Sequence, residues 1–302
     1  MIQPNLHLYK LTQDELRDYI TMILIQKKIP FIEVHGCIFS GDIVKNRPLF
    51  VAHMDTVKDA DVSGKLRISG NTLSRKGQRI LGADDRAGVD ILLRHIEDIN
   101  FCFTRDEELG GVGAHLLDTN PEFCYILENV SCAIQYDRRG SSDIIPYGPS
   151  DFIREIENLT GYKSAYGTFT DVAVWEDSVA GANMSVGYSK EHTSAETLDI
   201  EAWNYALETL PILNENLTER IKPNPPRQFS HRISNYSYAD EYDYHWSDED
   251  LSWYMDSERD FRHTCAYCQK EDTFKLTFYE DEDGNYCCED CLTLVYGLRR
   301  IS

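Results

Sequence analysis

The side chains of this chain that could do chemistry fall into two sets. The first is a series of histidines and acids, each following a short apolar run and preceding a turn or a helical stretch. LFVAH ends on His53, with Asp55 two residues on, and GADDRAG carries Asp84 and Asp85. NFCFTRDEELGG carries Asp106, Glu107 and Glu108, AIQYDRRG carries Asp137, and SVGYSKEHTSAE carries His192. Imidazole and carboxylate are the groups that hold zinc and related divalent ions. Taken singly, each has a plainer reading. A histidine at a strand end is commonly hydrogen-bonded scaffolding, and acids at a helix start commonly cap it. His7, His35, His95, His115, His231 and His245 fit no such pattern and are read as structural.

The second set is the cysteines. There are nine, an odd total, and five of them (Cys265, Cys268, Cys287, Cys288 and Cys291) crowd near the end of the chain. CAYC and CCEDC make a Cys-x2-Cys pair, a gap of about nineteen residues, and a second Cys-x2-Cys pair. That spacing suits a four-thiolate structural zinc site built from Cys265, Cys268, Cys288 and Cys291, with Cys287 able to replace Cys288. The stretch between the pairs, TFKLTFYEDEDGNYCC, reads as a hairpin turning at Asp-Gly or Gly-Asn. A module this small lacks core enough to fold without such a staple.

The elements that must position the first set alternate in type. LTQDELRDYITMILIQKK reads as a helix with Thr12 as its cap and Glu15 completing a capping box. PFIEVHGCIFSGD and RPLFVAHMD each read as a strand. GKLRISGNTLSRKGQ reads as a hairpin around SGN, and DDRAGVDILLRHIEDI as a helix opened by two acids. NFCFT, VSCAIQYD and ANMSVGY follow as strands, GGVGAHLLD starts a helix, and LDIEAWNYALETLPILNENLTERI closes with a long helix around a proline. Strands alternating with helices imply an α/β fold, a mostly parallel mixed sheet flanked by helices. Functional groups in such sheets collect at the carboxyl ends of the strands, where this first set lies.

Three regions follow: a main domain at 1–222, a linker at 223–260 rich in acids and aromatics, and a small zinc-ribbon-like module at 261–302. The formal net charge of −21 disfavours nucleic acid and anionic membrane as partners. No apolar run approaches the roughly 18 residues of a membrane span. The opening, MIQPNLHLYKLTQDEL, lacks a basic region followed by an apolar stretch, so no secretory signal is read and the expected location is the cytoplasm.

AHMDTV, LGADDRAGV, FTRDEELGGVGA, YDRRG and NMSVGYSKEHT together resemble the zinc-dependent exopeptidase superfamily, which includes peptidase T, the co-catalytic zinc aminopeptidases and related carboxypeptidases and deacylases. The motifs stand in the family's order over roughly residues 48 to 195. The resemblance implies two zinc ions, one held by His53, Asp84 and Asp137, the other by Asp84, Glu108 and His192. It implies Glu107 as general base and Asp55 as the partner of the far nitrogen of His53. It implies a peptide substrate and, at Asp84–Asp85, a cis peptide bond. Residues two apart point to the same side of a strand, so His53 and Asp55 can serve one site together.

The chain departs from the family in places. DRRG stands where many relatives have Asp-Gly, and Arg138 or Arg139 could pair with a substrate carboxylate in a two-pronged contact; exposed loop arginines are the plainer reading. Arg86 stands where lysine is common. Only about 55 residues separate Asp137 from His192, too few for the dimerisation domain that peptidase T inserts there. Thr170 and Asp171 resemble a Thr-Asp pair near the family's site. The C-terminal module, being acidic, is expected to contact protein or to dock on the chain itself. The zinc content expected of the purified protein is about three ions per chain, two in the main domain and one on the cysteines. Elemental analysis of unchelated protein that found one or none would overturn the two-ion expectation.

Overall fold

A computed structural model of the chain describes residues 1–57, 64–77, 79–167 and 169–224, and the backbone of two short strands further on. The chain divides into two compact units, Met1–Gln228 and Phe229–Ser302.

In the first unit, helix α1 (Gln13–Lys27) begins where the sequence places it: Thr12 Oγ1 accepts from the Glu15 amide at 3.3 Å, and the Glu15 carboxylate accepts from the Thr12 amide at 2.9 Å. Strands β1 (Phe31–Val34) and β2 (Cys37–Ser40) follow. The sequence reading made these one strand. They form a tight antiparallel hairpin instead, because His35 and Gly36 both take positive φ, 52° and 76°, the geometry of a two-residue turn. Next come β3 (Leu49–His53), β4 (Leu66–Ser69), β5 (Thr72–Arg75), α2 (Ala83–Arg94) and β6 (Asn100–Thr104). The chain continues through α3 (Val112–Asp118), α4 (Pro121–Asn129), β7 (Ala133–Arg138), β8 (Asp143–Tyr147), α5 (Ser150–Thr160), β9 (Lys163–Ser164) and α6 (Asp171–Val174). It closes with β10 (Gly181–Ser185), β11 (Tyr188–Ser189), β12 (Thr197–Asp199) and α7 (Ile200–Asn216), which runs through Pro211 as expected.

Eight strands form one mixed sheet in the order β1-β2-β6-β3-β7-β10-β8-β9. Its centre, β6-β3-β7-β10, is parallel. Side chains alternate across it. Phe50 and Ala52 join the core that α1, α2, α5 and α7 cover, while Leu49 and Val51 face the core beneath α3, α4 and α6. The fold is thus α/β, with helices on both faces. After β3 the chain crosses to β6 on one side, then returns past β3 to β7 on the other. The carboxyl end of β3 is therefore a topological switch point, the place where such sheets leave a crevice.

A smaller antiparallel sheet, β11-β12-β5-β4, stands beside that crevice. It contains the expected β4–β5 hairpin, and the connection from β11 to β12 carries His192. Residues 138–191, which could have held an inserted domain, hold β8, α5, β9 and α6 together with β10, so this stretch completes the main sheet.

In the second unit, β13 (Phe278–Glu280) pairs antiparallel with β14 (Tyr286–Cys288), within the stretch read as a hairpin. Cys265, Cys268 and Cys291 lie outside the described residues, and of Cys288 only the backbone is described. The linker at 223–260 lies outside them too, apart from its first two residues. Among the described residues, no helix is long and apolar enough to cross a membrane.

Two features of α2 bring it close to the site. Gly88 lets the helix press on β7, since a Cβ there would stand 2.1 Å from the Tyr136 carbonyl oxygen. Arg86 is fully buried, and its guanidinium donates to the Met54 carbonyl, to that of Asp55 at 3.1 Å and to that of Leu11 at 2.9 Å. It thereby pins the chain leaving β3 to the segment ahead of α1, a task for which one ammonium is too narrow. Arg86→Met leaves buried carbonyls without a donor, and a loss of about 3 kcal/mol in urea unfolding is expected, with Arg86→Lys recovering only part of it. A loss under about 1 kcal/mol for Arg86→Met would remove this stitch from the account.

Candidate active site

The carboxyl ends of three neighbouring strands supply the floor of the site. His53 is the last residue of β3, Asp137 lies near the end of β7, and Glu107 and Glu108 follow β6 in a single 3-10 turn. Asp84 comes from the start of α2 and His192 from the β11–β12 connection. Residues separated by more than a hundred positions in the chain thus meet in one place.

The meeting point is the Asp84 carboxylate. Its Oδ1 lies 3.0 Å from His53 Nε2, and that same nitrogen lies 3.3 Å from Asp137 Oδ1. Its Oδ2 lies 3.2 Å from His192 Nε2, which is 3.0 Å from Glu108 Oε1. His53 is thus within reach of Asp84 and Asp137, and His192 within reach of Asp84 and Glu108.

Asp84 and Asp85 leave helical geometry, with ψ of 100° and 38°, and the peptide bond between them is cis, as the resemblance implies. The two acids then do different things. Asp85 Oδ1 accepts from the Gly88 amide at 3.0 Å, a helix-capping bond, and its Oδ2 accepts from the His53 amide at 3.2 Å. The plain reading of an acid at a helix start holds for Asp85. Asp84 is left free to point into the site.

Asp55 does more than hold a ring. Its Oδ1 lies 3.2 Å from His53 Nδ1 and accepts from the Glu107 amide at 3.0 Å, while Oδ2 accepts from the Glu108 amide at 3.0 Å. One carboxylate thus sets His53 and both glutamates. The Glu107–Glu108 turn is braced from behind by Gln13, which exchanges two hydrogen bonds with Asp106, at 2.8 and 2.9 Å.

Asp137 is held as tightly. Its Oδ2 accepts from Thr170 Oγ1 at 2.9 Å and from Gln135 Nε2 at 3.1 Å, and Tyr188 donates its hydroxyl to the Asp137 carbonyl at 2.9 Å. Asn183 Oδ1 accepts from the Asp137 amide at 3.0 Å. Asp171, buried beside this group, takes a hydrogen bond from Thr104 through Oδ2, and its Oδ1 has no partner. Gln13 and Gln135 lie outside the five motifs, and Asn183 and Tyr188, though inside NMSVGYSKEHT, were given no role by the resemblance. Gln135 alone had a signal: it stands two residues before Asp137 on one strand, hence on the same side.

The electrostatics are those of acids crowded away from water. Burial pushes the Glu107 carboxyl well above the usual range, and Asp137, Asp171 and Glu108 push it further against the pull of His53. Burial likewise raises Asp137, Glu108 and Asp171. Burial opposes ionisation of Asp84 as well, but hydrogen bonds with His192 and His53 outweigh it and hold that carboxyl well below the usual range.

These side chains fit a bound cation better than they fit one another. Neutral imidazole carries one N–H. If His53 Nδ1 gives its proton to Asp55, then Nε2 presents a lone pair to two carboxylate oxygens. Glu108 Oε1 is buried and accepts no hydrogen bond, although His192 Nε2 is 3.0 Å away. Ligand atoms of His53, Asp84 and Glu108 lie within 4.8 Å of one another, as do those of His53, Asp85 and Asp137. In the second group both Asp85 oxygens already accept from backbone amides.

A cavity of about 120 Å³ opens over Asp84, Glu107, Glu108, Asp137 and His192. Its walls include Ile145, Phe169, Arg138 and Arg139. Arg139 pairs with Glu191 at 2.9 Å. Arg138 is 3.8 Å from Asp143, its Nη2 lies 3.4 Å from the Tyr166 carbonyl, and its Nε is buried without a partner.

Neither a protein-family model nor a curated protein matches the chain. Its fold is nevertheless shared with solved structures. Aminopeptidase PepT from Bacillus cereus superposes with a TM-score of 0.60 at 15% identity, over 71% of this chain and 97% of that one. A tripeptidase from Staphylococcus aureus gives 0.56 at 15% identity, over 70% and 96%. The TET1 peptidase of Pyrococcus horikoshii gives 0.52 at 15% identity, over 71% and 96%. At such identities the likeness establishes the fold, and the chemistry rests on the side chains.

Asp55→Asn exchanges one acceptor oxygen for an N–H₂ that must face an amide donor or His53. Affinity of the main domain for a divalent cation is expected to fall about 10–100-fold, measured by chelator competition. An unchanged affinity would separate Asp55 from the site's organisation.

Proposed function

We propose that this chain is a zinc-dependent peptidase that hydrolyses a peptide bond at the end of a chain, acting as an aminopeptidase. The observation that carries the reading is the Asp84 carboxylate: one oxygen lies beside His53, which also reaches Asp137, and the other beside His192, which also reaches Glu108. That is a donor set for two ions sharing one ligand: His53, Asp84 and Asp137 for the first, Asp84, Glu108 and His192 for the second. When bound, such a pair supplies Lewis acidity at the scissile carbonyl and makes water acidic enough to ionise near neutral pH. The solved peptidases that share the fold support the reading, as does the full complement of residue types, which a binding protein without catalysis would not need.

The chain's own residues do the rest. Glu107 lines the cavity beside the Asp84 cluster. Its carboxylate accepts a proton from the attacking water and passes it to the leaving amine, so that one proton is taken and one returned. Asp55 keeps the Nδ1 proton of His53 and so leaves Nε2 as a ligand. Thr170 supports Asp137, and Asp171 stands behind the site on Thr104. Ile145 and Phe169 provide apolar walls against which a terminal side chain can lie. The cysteine module at 261–302 takes one structural zinc on Cys265, Cys268, Cys288 and Cys291 and offers a surface for a protein partner, and the protein works in the cytoplasm.

A second reading, a carboxypeptidase or deacylase on the same two ions, is favoured by Arg138. A guanidinium with an unpartnered buried Nε at the cavity wall can take a substrate carboxylate. A panel of matched peptides separates the two: free at both ends, N-acetylated, or C-amidated. An aminopeptidase cleaves the free and C-amidated forms and spares the N-acetylated one. Loss of the C-amidated substrate instead would select the second reading.

Glu107→Gln is expected to retain zinc and fold while hydrolysis falls about 10²–10⁴-fold, since the amide cannot take the proton. Glu108→Gln is expected to lose zinc affinity as well as rate. Near-full activity in Glu107→Gln would remove it as the base.

A further inference from the structure

Four residues beyond His192, in HTSAE, stands Glu196. It is 3% exposed and does not itself line the cavity. It reaches across to the other chain segment of the site. Glu196 Oε2 accepts from the Gly82 amide at 2.7 Å, and Oε1 accepts from the amides of Ala83 at 2.7 Å and Asp84 at 3.1 Å. Three successive backbone donors thus converge on one carboxylate. They can do so because Gly82 takes a left-handed φ of 74°, which turns its N–H toward the same side as the next two.

Those amides precede the first helical turn of α2, where no carbonyl is available to them, so they need an acceptor from elsewhere. The acceptor comes from the segment that also carries His192. That segment is built tightly: Lys190 and His192 have positive φ, 57° and 62°, Thr193 Oγ1 donates to the Lys190 carbonyl at 2.7 Å, and the Glu196 amide donates to the Thr193 carbonyl at 3.2 Å. A rigid turn carrying His192 is therefore bolted by Glu196 to the backbone of Asp84, and Asp84 Oδ2 and His192 Nε2 stand 3.2 Å apart.

The geometry points to Glu196 as a positioning residue that fixes the distance between Asp84 and His192, and so sets the ion site shared by Asp84, Glu108 and His192. This rests on the two-ion reading above. Only a carboxylate of this length serves. An amide has a single acceptor oxygen and would aim its N–H₂ at an N–H, and aspartate is one methylene too short to reach all three donors. Burial opposes the charge on Glu196, so the three hydrogen bonds are what make an acid tolerable there.

The test uses the full chain, stripped of metal and titrated with Co²⁺. Visible absorption follows the oxygen and nitrogen sites, and the thiolate charge-transfer band reports the cysteines separately. Zn²⁺ affinities come from competition with a chromophoric chelator. Wild type is expected to take two ions in the main domain; fewer would overturn the two-ion reading and this inference with it. In Glu196→Gln the more weakly held of the two ions is expected to bind about 10–100-fold less tightly, with the other changed by no more than about threefold. The rate constant kcat should fall while KM stays within about twofold, because substrate contacts are untouched. Should Glu196→Gln fail to fold, Glu196→Asp, which keeps the charge, is measured in the same way and is expected to give the same split. Asn204→Ala serves as the comparison: it removes buried hydrogen bonds to Ile2 and Ile200 far from the site, and is expected to lower Tm without separating the two affinities. Two unchanged ion affinities in a folded Glu196 variant, or a loss equal at both sites, would overturn the assignment.

Discussion

Carboxylates cannot be crowded out of water unless something donates to them, and that requirement shapes the carboxyl edge of this protein's main sheet. Asp55, Asp84, Asp85, Asp137, Asp171 and Glu196 are all buried there, with Glu107 and Glu108 beside them. Left unpaired, each would cost several kcal/mol or hold its proton. The structure meets the cost mainly with backbone amides. Asp55 takes two, Asp85 takes two and Glu196 takes three. Asp84 and Glu108, whose carboxylates take no backbone amide, point toward the two histidines, and Asp137 Oδ1, which takes one bond from Tyr188 at 3.2 Å, faces His53. What the protein leaves unsatisfied is what a cation would satisfy.

The amides are available because of where the chain stops being regular. Strand ends and helix starts carry backbone N–H groups that no ladder or turn uses. The order β6-β3-β7 puts three strand ends side by side, and the chain's reversal at β3 keeps helices from covering them. The start of α2, out of helical geometry at Asp84 and Asp85, brings further free amides to the same spot. Charge and topology are thus one problem: the sheet leaves donors exposed at its carboxyl edge, and the acids of the site consume them.

Behind the acids lies a layer of side chains that fix direction. Thr170 and Gln135 hold Asp137, Gln13 holds the turn that carries Glu107, and Arg86 holds the chain that leaves His53. Most of these reach the site from distant elements. Shifting α1 or α6 would therefore reorient a ligand group without touching the cavity, which is why the helices on both faces matter to the site.

Much of this was legible in the chain. The capping box at Thr12 and Glu15, the strand that ends on His53, the hairpin of β4 and β5 and the α/β alternation all follow from local rules, because capping, pleat and turn chemistry act over a few residues. The five motifs also place the acids and histidines at strand and helix ends. Periodicity was not enough for β8 and α6, which are short, or for the β1–β2 turn, where His-Gly takes the place of the usual Asn-Gly. Only the tertiary structure decided which of the neighbours Asp84 and Asp85 points inward and which caps a helix, since the two are identical as letters and differ only in the backbone they sit on. It also decided that Glu196 reaches Gly82, Ala83 and Asp84. Those contacts span more than a hundred residues, and three backbone amides in a row leave no mark on the sequence that makes them.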